Sequence, residues 1–168
     1  MKFCNLPALT ICHGSPNKAN EKLLPNNEKT TINHDPNAYI LCGHTHVQGI
    51  IEVGAKKVLN AGSVGVSLHA NGKAQFMILS GKEYMWEYEF VSLDYDTDAV
   101  INDLETSGLK KKAPHWCAVS EHLLQTGEVS HGTVLAKAMS ICQEKYGVCN
   151  YPEIPEDCWK LAVGELCK

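Results

Sequence analysis

The stretch Ala38-Tyr39-Ile40-Leu41-Cys42-Gly43-His44-Thr45-His46 decides the reading of this chain. A short apolar run gives way abruptly to Gly-His-Thr-His, the pattern of a buried strand that delivers polar side chains at its mouth. Upstream, Leu9-Thr10-Ile11-Cys12 stops in the same manner at His13-Gly14-Ser15-Pro16, where glycine and proline turn the chain. Downstream, Val58-Leu59-Asn60-Ala61-Gly62-Ser63-Val64-Gly65 reads as a third strand running into a loop of small residues. Three strand ends thus bring His13, His44 and His46 beside a glycine-rich backbone. Neutral imidazole is the commonest metal-binding side chain, so the pattern points to metal chemistry.

Outward from these blocks the chain divides by period. Strands are expected over Leu6 to Cys12, Ala38 to Cys42, Gly49 to Val53, Lys57 to Asn60, Ala74 to Leu79 and Tyr84 to Ser92. Gly54-Ala55 and Ser80-Gly81-Lys82 are the expected hairpin turns. Asn17 to Pro36, rich in Asn, Lys, Glu and Pro, reads as a surface loop bordering the site, with a helical turn at Asn20 to Leu24. Beyond Tyr95 the period becomes helical. Asp96 or Thr97 caps a helix that runs through Thr106 and stops at Gly108. Pro114 opens a second ending at Gly127, a third spans Gly132 to Tyr146 before Gly147, and Pro155 opens a fourth with Cys158, Leu161, Ala162 and Leu166 on its apolar side. The expected organisation is a strand-rich domain over residues 1–95 and a helical extension over 96–168. Amphipathic stripes of this kind are packing surfaces.

The 168 residues are 44% hydrophobic and 20% charged, with a formal net charge of −4. That balance argues against a dedicated nucleic-acid or anionic-membrane surface, which needs clustered Lys and Arg. Lys110-Lys111-Lys112, the one dense basic run, reads as a solvated loop, and His115, His122 and His131 as solvent-facing side chains. No stretch approaches the ~20 apolar residues of a membrane span, and Met1-Lys2-Phe3-Cys4 does not begin a signal peptide, so a cytoplasmic protein is expected. Eight cysteines contain no Cys-x-x-Cys pair. Reduced, partly buried thiols are the expectation, and Cys142, Cys149, Cys158 and Cys167 near the C-terminus are the four that a structural metal site would use.

The His13-Gly14, Gly43-His44-Thr45-His46 and Asn60-Ala61-Gly62-Ser63-Val64 blocks, in this order and spacing, resemble the closing signature of the calcineurin-like metallophosphoesterases, in particular the small prokaryotic phosphodiesterases. Alanine stands at position 61 where that family usually has proline. The resemblance covers residues 6 to 95 well and the helical part more loosely. It implies an α/β fold, half of a four-layer αββα sandwich with a mixed or largely antiparallel sheet, followed by a helical subdomain. It implies two divalent metal ions, Mn, Zn, Fe or Ni, with His13 and His44 on one and His46 on the other. His44 is then also the catalytic side chain that steadies the leaving oxygen, and Gly14, Asn60, Gly62 and Ser63 are the positions at the substrate, a phosphate ester. Taken by themselves, Asn60, Gly62 and Ser63 read first as a structural turn supporting the His-bearing loop, with an anion nest of backbone N–H groups as the alternative.

The family builds its centre from five blocks, and the Asp-x-His, Gly-Asp and Asn-His blocks of the first three have no counterpart here. With Met1 only a few residues before the first strand, the expectation is the C-terminal half of a phosphoesterase. Two metals about 3.5–4 Å apart need a bridging carboxylate to offset their charge, and three histidines supply none. The isolated chain is therefore expected to be inactive without an N-terminal half or a second copy as partner. The alternative is a noncatalytic half-domain that pairs with a partner through its sheet edge.

Overall fold

Ile40, Val58 and Leu59 are fully buried, and they are the apolar centres of the two strands around which the sheet is built. The computed structural model describes residues 5–24, 32 and 35–168. It divides into two units, Met1–Asp94 and Tyr95–Lys168.

In the first unit, β1 (Leu9–Ile11), β2 (Tyr39–Cys42), β3 (Gly49–Val53) and β4 (Lys56–Asn60) form one sheet in the order β1-β2-β4-β3. β1 and β2 are parallel, as are β2 and β4, whereas β3 runs antiparallel to β4. The sheet is therefore mixed, and its parallel register places Ile11 beside Leu41 and Cys42 beside Asn60. Leu23, Ile40, Cys42, Ile51 and Val58 make its core. Leu23 reaches this core from a coil segment: the helical turn expected at Asn20 to Leu24 is absent, and burial of one leucine holds the segment instead. Residues 25–31, 33 and 34 of the expected surface loop lie outside the described residues.

Gly54-Ala55 closes the β3/β4 hairpin, as expected. β5 (Ala74–Lys82) and β6 (Met85–Leu93) form a separate two-stranded ribbon whose turn is not where composition pointed. Ser80, Gly81 and Lys82 stay in β5, and the chain reverses at Glu83-Tyr84, both left-handed at φ 45° and 72°. A two-residue hairpin turn with both central residues at positive φ matches the twist of the flanking strands. Gly81 is needed inside the strand because Leu6 packs there: a Cβ at Gly81 would sit 2.3 Å from Leu6 Cδ1. The Trp86 indole N–H donates to the Pro7 carbonyl at 2.8 Å, tying the ribbon to the segment that enters β1.

In the second unit, α1 (Thr97–Thr106) begins at Asp96, whose carboxylate accepts from Ala99 N at 2.9 Å. α2 (Leu109–Lys112) takes up the lysine run expected in a loop, and Lys110 is held by Glu105 and Glu121 at 3.4 and 2.9 Å. α3 (Pro114–Thr126) ends at left-handed Gly127, and α4 (His131–Tyr146) at left-handed Gly147. α5 (Glu156–Leu166) packs on α4 through a core of Val119, Val134, Ala138, Cys142, Ile154, Cys158 and Ala162. Leu161, expected on the apolar face of α5, is 48% exposed. Cys149 and Cys167 pack against this core as free thiols. Burial and the neighbouring Cys149 push the Cys142 thiol up to about 11. Among the described residues no helix is long and apolar enough to cross a membrane.

Candidate metal centre

Parallel pairing continues for two residues beyond β1 and β2, and this builds the site. Cys12 N donates to Leu41 O at 3.0 Å and Gly43 N to His13 O at 2.9 Å. His13 is thereby locked beside the Gly43-His44 turn. Its Nε2 lies 3.2 Å from His44 Nδ1, with the rings edge to face and centroids 4.9 Å apart. At the end of β2 the buried Cys42 thiol is pushed up to about 12 by burial and by the nearby Cys12, so it stays protonated at neutral pH.

His44 and His46 both hold left-handed backbone, φ 66° and 58°. Such a conformation costs a non-glycine residue about 1–2 kcal/mol, and it persists where the surroundings over-determine it. Asn60 does much of that. It is 2% exposed, and its side-chain amide donates to Gly43 O and to Thr45 Oγ1, both at 2.9 Å, while its Oδ1 accepts from Gly62 N at 3.0 Å. Asn60 thus ties the His-bearing turn to the glycine loop. Leu68 N donates to His46 O at 3.0 Å, fixing the far side.

His46 Nδ1 lies 2.9 Å from the Val66 carbonyl. A carbonyl only accepts, so Nδ1 carries the hydrogen, and in the neutral ring the lone pair is at Nε2. This is the arrangement that orients a metal-ligating imidazole. Ser63 Oγ accepts from Val66 N at 3.1 Å, and its carbonyl accepts from Gln75 N at 2.9 Å, so Ser63 shapes the loop that presents Val66. Gly62 is left-handed at φ 84°, with Gln75 Cβ 2.8 Å from where its own Cβ would be. Gly14 is buried under the following turn: a Cβ there would stand 2.5 Å from Ala19 O. Ser15 anchors that turn, its Oγ accepting from Asn17 N and Lys18 N, both at 3.0 Å, and bonding the Glu21 carboxylate.

Two nitrogens bound to one tetrahedral ion at about 2.0–2.1 Å stand about 3.3–3.4 Å apart. The His13 and His44 nitrogens, at 3.2 Å, are already close to that separation. The fit extends to two positions of a divalent ion and stops there. Among the described residues no group of three or more His, Cys, Asp or Glu side chains is arranged to hold a metal. That holds for the three histidines taken together and for the C-terminal cysteines alike. Two acids near the histidines in sequence have other partners: Glu21 bonds Ser15, and Asp35 accepts from Thr10 Oγ1 at 2.7 Å.

Sequence reasoning passed over Thr45 and Gln48. Thr45 is 7% exposed and receives the Asn60 amide. Gln48 Nε2 donates to Ala61 O and Phe76 O at 3.0 and 2.9 Å, joining the glycine loop to the ribbon. Thr45 was signalled by its place within the Gly-His-Thr-His block; nothing in the sequence marked Gln48. In the helical unit, His115, His122 and His131 are half-buried rather than solvent-facing. His115 Nε2 pairs with Glu156 at 2.8 Å, and His131 stacks on Trp116.

A mixed sheet whose adjacent strand ends bring two imidazoles within 3.2 Å of each other defines an α/β domain. Residues 4–83 match the family model of the calcineurin-like phosphoesterase superfamily domain. Over this segment, just under half of its length, the chain is similar to the calcineurin-like phosphoesterase superfamily. Among solved structures it is similar to a hypothetical protein from Pyrococcus horikoshii OT3, with TM-score 0.55 and 14% identity over 74% of this chain and 48% of that one. It is also similar to a metallophosphoesterase from Sphaerobacter thermophilus, with TM-score 0.50 and 16% identity over 71% of this chain and 55% of that one. At these identities the likeness is one of fold, and the chain spans about half the length of each. No curated protein matches the sequence.

Proposed function

We propose that this chain supplies the histidine-bearing part of a divalent-metal phosphoesterase centre acting on phosphate esters, phosphodiesters first among them. The observation that carries the reading is the His13 Nε2 to His44 Nδ1 separation of 3.2 Å at the ends of adjacent parallel strands. His13 and His44 are assigned to one ion, His46 through Nε2 to a second, and manganese is the favoured metal. When bound, such ions supply Lewis-acid polarisation of a phosphoryl oxygen. The protein's own part is positioning. Asn60 and Thr45 hold the strained turn, the Val66 carbonyl fixes the His46 tautomer, and Gly14, Gly62 and Ser63 shape the backbone where an ester would lie. His44 is the residue assigned to the leaving oxygen. The carboxylates that offset the metal charge come, in this reading, from an N-terminal half or from a second chain. The free thiols go with a reducing, cytoplasmic setting.

The second reading is a noncatalytic module that pairs through its sheet edge. It is favoured by Ile11, which is 57% exposed on edge strand β1. Mn²⁺-dependent hydrolysis of bis(p-nitrophenyl) phosphate by the purified chain, beside the His44→Ala/His46→Ala double variant, separates the two. Hydrolysis that requires added N-terminal half and disappears in the variant supports the first. No hydrolysis with any added half, together with stable association, supports the second. Metal-dependent hydrolysis by the chain alone would refute the assignment of carboxylates to a partner.

A further inference from the structure

Within the helical unit Tyr95–Lys168 the first turns of α3, α4 and α5 surround a cavity of about 490 Å³. That volume lies within the range of small-molecule sites, about 300–1,000 Å³. Its lining is chiefly aromatic and aliphatic: Trp116, Trp159 and Tyr151 stand with Val119, Val134 and Leu135. Trp116 is 50% exposed and yet fixed, because His131 stacks on it with centroids 5.1 Å apart and planes at 30°. His131 is in turn fixed by Ser120 Oγ, 3.1 Å from its Nε2. A half-exposed indole held by stacking is a preorganised platform for another flat ring.

The polar groups of the lining set the sign of the ligand. Glu156 is engaged by His115 at 2.8 Å. Lys112, exposed at the end of α2, forms no ion pair among the described residues. Of the two charged ends in the lining, Glu156 thus has a hydrogen-bonding partner and Lys112 has none among the described residues, and helix first turns add partial positive charge of the same sign as Lys112.

We propose that this cavity binds a small planar aromatic anion, its ring against Trp116 and its phosphate or carboxylate against Lys112. The site lies wholly within the helical unit and is independent of the phosphoesterase reading.

The test is calorimetric titration of the full chain in EDTA, so that metal-dependent hydrolysis cannot contribute. Adenosine monophosphate and naphthoate are the ligands, with adenosine and inorganic phosphate as ring-only and anion-only arms. The expected result is one-to-one binding of at least one aromatic anion, with adenosine weaker and phosphate not binding. Trp116→Ala is expected to weaken that anion by roughly tenfold or more. Lys112→Ala, at an exposed position that leaves the fold intact, is expected to remove the advantage of adenosine monophosphate over adenosine. The proposal is overturned if neither aromatic anion binds at millimolar concentration, if phosphate alone binds as well, or if both variants bind like the wild type.

Discussion

Replacing Asn60 by alanine is expected to loosen the histidine turn and the strand beneath it together. The side chain makes three hydrogen bonds in a site only 2% exposed, to Gly43 O, Thr45 Oγ1 and Gly62 N. At about 1 kcal/mol net each, their loss costs about 3 kcal/mol, rising toward about 5 if the backbone partners are left unpaired away from water. With a urea m-value of about 2 kcal/mol/M, the midpoint should fall by about 1.5–2.5 M. Trp86 is the one tryptophan of the first unit, since the chain's three are at 86, 116 and 159. Urea unfolding followed by fluorescence in a Trp116→Phe/Trp159→Phe background therefore reports this unit alone. Thr45→Val removes only one of the three bonds and should cost about 1 kcal/mol. A change below about 0.5 kcal/mol for Asn60→Ala, within the ordinary range for surface substitutions, would refute the claim that Asn60 holds the turn.

Gly14→Ala places a Cβ 2.5 Å from the Ala19 carbonyl oxygen, and such overpacking against backbone should destabilise the first unit by about 1–3 kcal/mol in the same urea assay. Tyr84→Gly should do the reverse, because φ 72° strains tyrosine and suits glycine; stabilisation of about 1 kcal/mol in that assay is expected. Asp157 is held well below the usual carboxylate range, at about 2, by hydrogen bonds from Lys145 and Tyr146. Its folded pKa is depressed, so its contribution is present above the unfolded value near 3.9 and is lost as pH falls toward 2. Acid titration followed by Trp116 and Trp159 fluorescence should show Asp157→Asn already lowered at neutral pH, with the difference from wild type closing below about pH 3.

The strand ends were legible because three apolar runs each stop at a histidine or a glycine-rich loop, and parallel pairing needs only that to bring His13 to His44. Helix limits were legible from Asp96, Pro114, Gly127 and Gly147, whose backbone preferences act locally. The ribbon turn was not. Glu83 and Tyr84 are poor left-handed residues, and they turn there because Leu6, far away in sequence, packs on Gly81 and keeps it in β5. That Asn60 supports the histidine-bearing loop was legible from its place in the glycine turn, but its partners were not, since only tertiary contact brings its amide to Gly43 and to Thr45, fifteen residues earlier. The aromatic cavity draws on residues from 112 to 159, a convergence that no local pattern announces.

In the proposed function, His13 and His44 are a preformed donor pair for a divalent ion. Visible absorption of the chain titrated with Co²⁺ tests it directly, because intensity and position of the ligand-field bands report nitrogen donors and coordination number. Weak binding by the chain alone is expected, with bands that disappear in His13→Gln and in His44→Gln separately and strengthen when an N-terminal half is added. Bands unchanged in both single variants would contradict it.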